Sequence, residues 1–406
     1  MNLRFVHLYF HPDRSAVSRF VSDLAFHLAA QGDAVSVVCS RNRYDPAQDG
    51  ALSPRETVRG VDVIRCWGPS FERRRLSGRI LNMATYCGLA AVRLLAAPRA
   101  DAVVFLQNPP LFAWLGLVLR KLRGETFVYV PMDVYPDIAV RAGVLGERSI
   151  ATRVLRRIQR AALAGADAVI VLGGDMRETV VRMGADPGRV AVIRNWADPG
   201  AIVPVAPEAN RLRKAWGLDG KFVVAYSGNF GVSHSFEEIL AAAEALAGDD
   251  GIRFLLVGGG ARFRDVEQSV AERGLRNVVM KPYREDPELS ESLSAGDVHY
   301  VSLRDGFEGL VVPSKSYGIM AAGRPIIYQG AAGGEIAAMV TREGIGQVVA
   351  PGDRDALRNA ILALRDDGAA RTRMGAAARR ALEERYSAGA AFALYRDAIR
   401  RAGGRG

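Results

Sequence analysis

Two segments of this 406-residue chain carry residue types from which a phosphate site can be built. Tyr226-Ser-Gly-Asn-Phe-Gly-Val-Ser-His-Ser235 runs from an apolar strand pattern through a loop into the helical pattern Phe236–Leu246. Gly228 and Gly231 allow close backbone approach there, and a helix start presents N–H groups to an anion. A plain strand-to-helix turn fits the segment equally well, and His234 alone says little. The second segment is Glu308-Gly-Leu-Val-Val-Pro-Ser-Lys-Ser-Tyr-Gly-Ile-Met-Ala-Ala-Gly-Arg-Pro325. Pro313 and Ser314 read as the start of a helix, with Ser314 as its cap, and Gly323 as its end. Lys315, in the first turn, is one of five lysines against forty-nine arginines. A lysine in a chain that otherwise uses arginine fits a need for a compact ammonium group. At a helix start it would face a phosphate attracted by the dipole. The alternative is a surface lysine on an exposed first turn.

The elements that must position these residues alternate between apolar strand runs and longer helical patterns, the signature of parallel sheets covered on both faces. Strands are expected at Leu3–Tyr9, Ala34–Cys39, Val61–Cys66, Ala102–Leu106, Thr126–Val130, Ala168–Leu172 and Val190–Ile193. Helices are expected at Ala16–Gln31 and Ile150–Ala164. Three prolines in Pro199–Pro207 read as a linker. The alternation then restarts with Phe222–Tyr226, Phe254–Val257, Val278–Lys281, Val298–Ser302, Pro325–Tyr328 and Gly346–Val349, and Ala356–Arg401 is nearly all helical. The predicted class is α/β, with two doubly wound Rossmann-like domains facing each other across a cleft. Their expected limits are 1–200 and 201–385, with a terminal helix over 386–406 packing back on the first. Ligands in such sheets bind beyond the carboxyl ends of strands.

Composition narrows the function. The three cysteines, Cys39, Cys66 and Cys87, lack metal-type spacing and cannot form a disulfide framework, which points to a reducing cytoplasm. Met1–Tyr9 is apolar but lacks a cleavage-type site, so no secretion leader is expected. Ala102–Leu119 is free of charge, yet Pro109 and Pro110 would break a spanning helix, so it reads as strand, turn and helix. The net charge is +10, and residues 1–200 hold 27 basic and 18 acidic groups. The run Arg73–Arg75 with Arg79, beside apolar Ile80–Val92, suits an anionic membrane surface; a core helix with solvated ends is the alternative. Nucleic acid is not expected, because the belt lacks interleaved aromatics and no recognition motif appears.

Taken in order, the first segment, Val312-Pro-Ser-Lys-Ser-Tyr-Gly-Ile-Met-Ala-Ala-Gly-Arg-Pro-Ile326 and the two-domain pattern resemble the GT-B glycosyltransferases of family 4. The likeness is greatest to the O-antigen and colanic-acid branch carrying Pro-Ser-Lys-x-Tyr. Supporting segments are Val192-Ile-Arg-Asn-Trp-Ala-Asp198, Phe254-Leu-Leu-Val-Gly-Gly-Gly260 and Arg373-Met-Gly-Ala-Ala-Ala-Arg379. The resemblance implies a retaining transfer from a nucleotide diphosphate sugar, most often UDP-linked, with no bound metal or other cofactor. It implies a donor set of Ser15, Gly228, Asn229, His234, Gly258, Tyr283, Ser314, Lys315 and Glu335, and catalytic roles for Asp133, Lys315 and Glu308.

The chain departs from the family pattern at several positions. Ser15-Ala16 replaces a Gly-Gly pair, with Arg14 nearby as a compensating charge. The usual arginine and lysine of the diphosphate site fall on Asn229 and His234. Glu308 resembles the first glutamate of the Glu–(seven residues)–Glu motif, but the second falls on Gly318, with Glu335 as substitute. On the acceptor side Asp133, in Pro131-Met-Asp-Val-Tyr-Pro136, would position or deprotonate a hydroxyl; a cap or turn aspartate is the other reading. Asn108 is a second acceptor candidate, and Met132 stands where a histidine often precedes the acid. The expected activity is sugar transfer to a lipid-linked or glycan acceptor in cell-envelope polysaccharide assembly, at the inner face of the cytoplasmic membrane. The alternatives are a non-hydrolysing sugar-nucleotide 2-epimerase and a non-catalytic sugar-nucleotide-binding protein.

Overall fold

A computed structural model describes every residue except 14, 45–51, 70, 72–75, 110–111, 285 and 405–406. The chain divides into two compact units. The first holds Met1–Leu172, Met176–Ile193 and Phe392–Gly406; the second holds Gly173–Asp175 and Arg194–Ala391. The division falls at Ile193 and Arg194 rather than at residue 200, and the last segment joins the first unit from Phe392 onward.

Up to residue 193 the elements are β1 (Asn2–Val6), α1 (Ala16–Ala30), β2 (Ala34–Ser40), β3 (Arg55–Val58), β4 (Val61–Cys66), α2 (Leu76–Ala96) and β5 (Ala102–Leu106). They continue with α3 (Trp114–Arg123), β6 (Thr126–Val130), α4 (Asp137–Arg141), α5 (Ile150–Gly165), β7 (Ala168–Val171), α6 (Gly174–Arg182) and β8 (Val190–Val192). The sheet order is β3-β4-β2-β1-β5-β6-β7-β8. β5 and β7 are buried along their whole length, as strands covered on both faces must be. Among the described residues only β3 runs antiparallel, paired with β4 through a turn in which Arg59 and Gly60 both have positive φ. Its polar sequence, Arg-Glu-Thr-Val, hides it from a search for apolar runs. The charge-free segment Ala102–Leu119 resolves into β5 and the start of α3. Among the described residues no helix is long and apolar enough to cross a membrane. The terminal helix contributes to this unit from Phe392 onward, with Tyr395 against Phe20 and Arg396 paired with Asp33.

The second unit runs α7 (Arg211–Ala215), β9 (Phe222–Asn229), α8 (Glu237–Ala245), β10 (Ile252–Gly259), α9 (Phe263–Glu272), β11 (Val278–Pro282), α10 (Asp286–Ser294) and β12 (Val298–Ser302). It continues with α11 (Lys315–Ala321), β13 (Ile326–Gln329), α12 (Glu335–Glu343), β14 (Gly346–Val349), α13 (Arg354–Asp366), α14 (Gly368–Arg385) and α15 (Ala388–Gly403). Its sheet is wholly parallel, in the order β11-β10-β9-β12-β13-β14. β9 reaches three residues beyond its apolar run, because Gly228 and Asn229 keep pairing with Gly258 and Gly259. A Cβ on Gly258 would lie 2.0 Å from the Gly228 carbonyl oxygen, so Gly258 is required by the sheet itself.

Burial pushes His7 and His234 down to about 3 and His299 to about 4. Their imidazoles fold neutral, whereas an unfolded histidine protonates near 6.5. The unfolded state therefore binds more protons below that pH, and stability is lost as pH falls. Each histidine contributes up to about 1.4 kcal/mol per pH unit over that interval. Asp133, pushed up to about 6 by burial, acts in the opposite sense and offsets one of the three. Thermal midpoints should therefore drop between pH 7 and pH 5; equal midpoints would contradict the neutral burial.

Candidate functional site

Each sheet has one place where the strand order reverses. In the second unit it lies between β9 and β12: β9, β10 and β11 proceed one way and β12, β13 and β14 the other. Helices on opposite faces diverge there and leave a crevice at the strands' carboxyl ends. Lys315 follows β12, and Tyr226, Gly228 and Asn229 end β9.

The Lys315 side chain crosses Gly228, whose missing Cβ would lie 3.2 Å from Lys315 Cε. Its Nζ donates to the Tyr226 hydroxyl at 2.5 Å and sits 3.9 Å from the centre of the Tyr226 ring. The hydroxyl in turn donates to the Asn229 carbonyl at 2.6 Å. The three groups form a proton-ordered chain in which each oxygen accepts what its neighbour donates. Burial holds the Lys315 ammonium well below its usual range and the Tyr226 phenol well above its own. An ammonium with so little water responds strongly to an arriving anion. Tyr226 was absent from the sequence-derived set, although it opens the first motif.

His234 is placed beside this group but does not supply charge. Its Nδ1 lies 2.6 Å from the Ser302 carbonyl, which can only accept, so the proton sits on Nδ1 and Nε2 is a bare acceptor. Burial and then Lys315 keep it neutral. It ties the loop to β12 and does not replace a cation. A cation that sequence reasoning missed is Arg262, which donates to the His234 carbonyl at 3.1 Å and lies over the Phe236 ring. The start of α8 is no anion site, since Glu237 and Glu238 occupy its first turn and already complement the dipole.

Ser314 also departs from expectation. It is exposed, already in helical conformation, and its hydroxyl accepts no backbone bond, so it caps nothing. α11 has only seven residues, so attraction for an anion rests on the Lys315 charge. Asn229 is exposed at the end of β9, and half-exposed Tyr283 lays its ring edge 3.2 Å from where a Gly259 Cβ would be.

The two glutamates differ. Glu308 accepts from the Gly306 amide through Oε2 at 2.8 Å, while buried Oε1 has no partner among the described residues. The Tyr328 hydroxyl, electrostatically coupled to it, is likewise buried and unpartnered. Glu335 is engaged on both oxygens, by Arg194 at 2.5 Å and by the Gly174 amide at 2.8 Å. Asp175 accepts from the amides of Gly309 and Glu335, closing a network that fixes both segments. Glu335 is thus a tether, committed within the protein.

In the first unit the order reverses between β1 and β5. Ser15 follows β1, Asn108 follows β5 and Asp133 follows the neighbouring β6, so all three sit at one edge. Ser15 is the α1 cap, accepting from the Ser18 amide at 3.3 Å. Asn108 accepts from the Leu8 amide through its carbonyl. Asp133 is half-buried and its carboxyl has no partner among the described residues; it caps no helix, because α4 starts at Asp137 behind Pro136. Burial alone pushes it up to about 6, a value suited to taking a proton near neutrality. Among the described residues no group of three or more His, Cys, Asp or Glu is placed to hold a metal ion.

Tyr226→Phe should cost about 1–3 kcal/mol, because it leaves the Asn229 carbonyl and one Lys315 donor unpaired. Tyr226→Leu should cost more, since the ring also packs edge-on against Phe230 and Phe236. Urea unfolding checks both, and an unchanged Tyr226→Phe midpoint would contradict the hydroxyl's role.

Residues 15–196 match the glycosyl transferase 4-like domain, and residues 221–367 match the glycosyl transferases group 1 family. The chain is 32% identical to a probable glycosyltransferase, WbjE, of Pseudomonas aeruginosa, over 72% of this chain and 73% of that protein. It is 26% identical to WcaI of Escherichia coli, a putative colanic acid biosynthesis glycosyl transferase, over 77% and 79%. Among solved structures it resembles Anabaena HepE in complex with UDP, with a TM-score of 0.73 at 15% identity, covering 98% of this chain and all of that one. The chain belongs to the GT-B glycosyltransferases of family 4.

Proposed function

We propose that this glycosyltransferase moves a sugar from a UDP-linked donor to a hydroxyl of a lipid-linked or glycan acceptor in cell-envelope polysaccharide assembly, with retention at the anomeric carbon. It works without a metal, as a peripheral protein on the inner face of the cytoplasmic membrane. The observation that carries the donor reading is Lys315, a half-buried ammonium held by Tyr226 at the switch point of the second sheet. UDP as the nucleotide follows the HepE complex, and polysaccharide assembly follows the colanic acid relative. An epimerase or a non-catalytic binder draws no support from the relatives, which carry glycosyltransferase names.

Negative charge grows on the diphosphate as its bond to the sugar breaks. Lys315 Nζ then turns from the Tyr226 oxygen to a phosphate oxygen and supplies positive charge where it is needed. It fills the place that a divalent cation takes in metal-assisted transfer. The Gly228 backbone allows the diphosphate to lie close. Oε1 of Glu308, buried and unpartnered, accepts a hydroxyl of the donor sugar. Asp133 takes the proton of the acceptor hydroxyl.

Among UDP, GDP and dTDP, UDP should raise the thermal midpoint most, because a binder stabilises the folded state by mass action. A larger response to GDP would overturn the choice of base. Lys315→Ala should lose about 1.5–3 kcal/mol in donor affinity or in the barrier, and Lys315→Arg should recover it only in part. Turnover unchanged in Lys315→Ala removes Lys315 from the site.

Asp133 must be ionised to accept a proton, so kcat/KM for the acceptor should fall as pH drops through about 6. Asp133→Asn should abolish that limb and slow transfer by about 100-fold or more, while UDP binding is unchanged. A full rate in Asp133→Asn assigns the proton to another group.

A further inference from the structure

Helices α2, α3, α5 and α6 share one face of the first unit's sheet. The connections β4–α2–β5, β5–α3–β6, β6–α5–β7 and β7–α6–β8 all move along the sheet in one direction, whereas β1–α1–β2 moves in the other. Right-handed crossovers therefore put α2, α3 and α5 side by side on the face opposite α1, with α6 beyond them at the β8 edge. Contacts agree: Arg123 at the end of α3 donates to the carbonyls of Leu94, Leu95 and Ala97 at the end of α2. Between α3 and α5, a Cβ on Gly165 would lie 2.2 Å from Leu117.

The three neighbouring helices α2, α3 and α5 have an unusual composition, whereas α6 at the edge carries Asp175 and Glu178. Across their 47 residues these three contain no aspartate or glutamate and nine arginines or lysines. Arg93, Lys121, Arg153, Arg157 and Arg160 are exposed and have no ion-pair partner among the described residues. Between these charges large apolar side chains face outward. On α2 Leu81, Val92 and Leu95 recur at helical spacing, with Val92 64% exposed. On α5 Ile150 is 73% and Val154 51% exposed. Ile150, Arg153, Val154, Arg157, Ile158 and Ala161 line one groove of about 540 Å³ along α5. Apolar side chains and guanidinium groups alternating on one helix stripe match a surface of phosphates above hydrocarbon.

We propose that the outer face of α2, α3 and α5 lies on an anionic phospholipid surface, with α5 as its centre. Arg153 and Arg157 meet lipid phosphates, and Ile150 and Val154 insert between the headgroups. The sequence reading placed this contact at Arg73, Arg74, Arg75 and Arg79; the first three lie outside the described residues, as does the Arg79 side chain. The three acid-free helices extend the contact to α5, whose arginines at 153, 156, 157 and 160 lie far along the chain from that run. It rests on the lipid-linked acceptor reading only for its purpose, since the surface is defined without any substrate.

The test is sedimentation of the full chain with vesicles of phosphatidylcholine alone or with phosphatidylglycerol, without donor or acceptor. The protein should sediment with the anionic vesicles at low salt and be released as salt rises. Arg153→Ser with Arg157→Ser should weaken partition by about thirtyfold, at about 1 kcal/mol for each charge removed. Ile150→Ser with Val154→Ser should weaken it further at high salt, where insertion carries more of the binding. Arg264→Ser with Arg276→Ser, exposed on the second unit, should leave it unchanged. Thermal midpoints and UDP stabilisation report that each variant is folded. A wild type that ignores anionic vesicles at low salt overturns the proposal, as does equal binding by the α5 variants. A dimer that Ile150→Ser with Val154→Ser breaks, without vesicle binding, makes the face a self-interface and also overturns it. Vesicle binding without any transfer activity upholds the surface and sinks the acceptor reading instead.

Discussion

Lys315 brings an ammonium group to a place where water is scarce, and the surrounding residues are arranged around that charge. Its desolvation is met by a hydroxyl and an aromatic face from the same residue, Tyr226, whose proton is directed to the Asn229 carbonyl. The absence of a Cβ at position 228 lets the lysine pass close over the backbone, since a Cβ there would lie 3.2 Å from Lys315 Cε. Burial disfavours the charge, and Lys315 has no anionic partner among the described residues; the proposed diphosphate site rests on that. Arginine would fit poorly, because its planar fork needs several acceptors and Tyr226 offers one.

The rest of the second unit holds this arrangement in register. β9 and β10 stay paired beyond their apolar runs through Gly228 and Gly258, which brings the loop ends close. His234, neutral and bonded to Ser302, fastens the loop to the strand that precedes Lys315. Arg194, Glu335 and Asp175 fasten the 173–175 and 306–309 segments, where Glu308 keeps its unpartnered oxygen. The first unit shows the same economy. Its sheet reverses direction beside β5, and beyond β6 stands the half-buried Asp133 carboxyl, which burial alone pushes up to about 6.

Much of this was legible in the residues. Apolar runs of four to seven residues between helical periods located nearly every strand, because parallel strands covered on both faces are predominantly apolar. β3 escaped for the same reason: it is an edge strand with a polar sequence. Lys315 stood out through the scarcity of lysine alone. Charge states were less legible. His234 looked like a stand-in cation, and only the position of the Ser302 carbonyl shows that its proton is fixed and its charge excluded. Glu335 looked available to a ligand, yet Arg194, far away in sequence, occupies it. Ser314 has the residue type of a cap but the backbone of a helix. Each of these depends on a partner supplied by tertiary structure. Glu237 and Glu238 at the start of α8 lie in plain sight in the residues, yet from sequence that helix start reads as open to an anion.

The account turns on what Lys315 does when a nucleotide diphosphate arrives. A crystal structure of the chain with UDP measures this most directly. The predicted result is a terminal phosphate oxygen within about 3.2 Å of Lys315 Nζ, with the diphosphate lying along Gly228. A diphosphate bound elsewhere, with Lys315 still resting on Tyr226, would contradict the account.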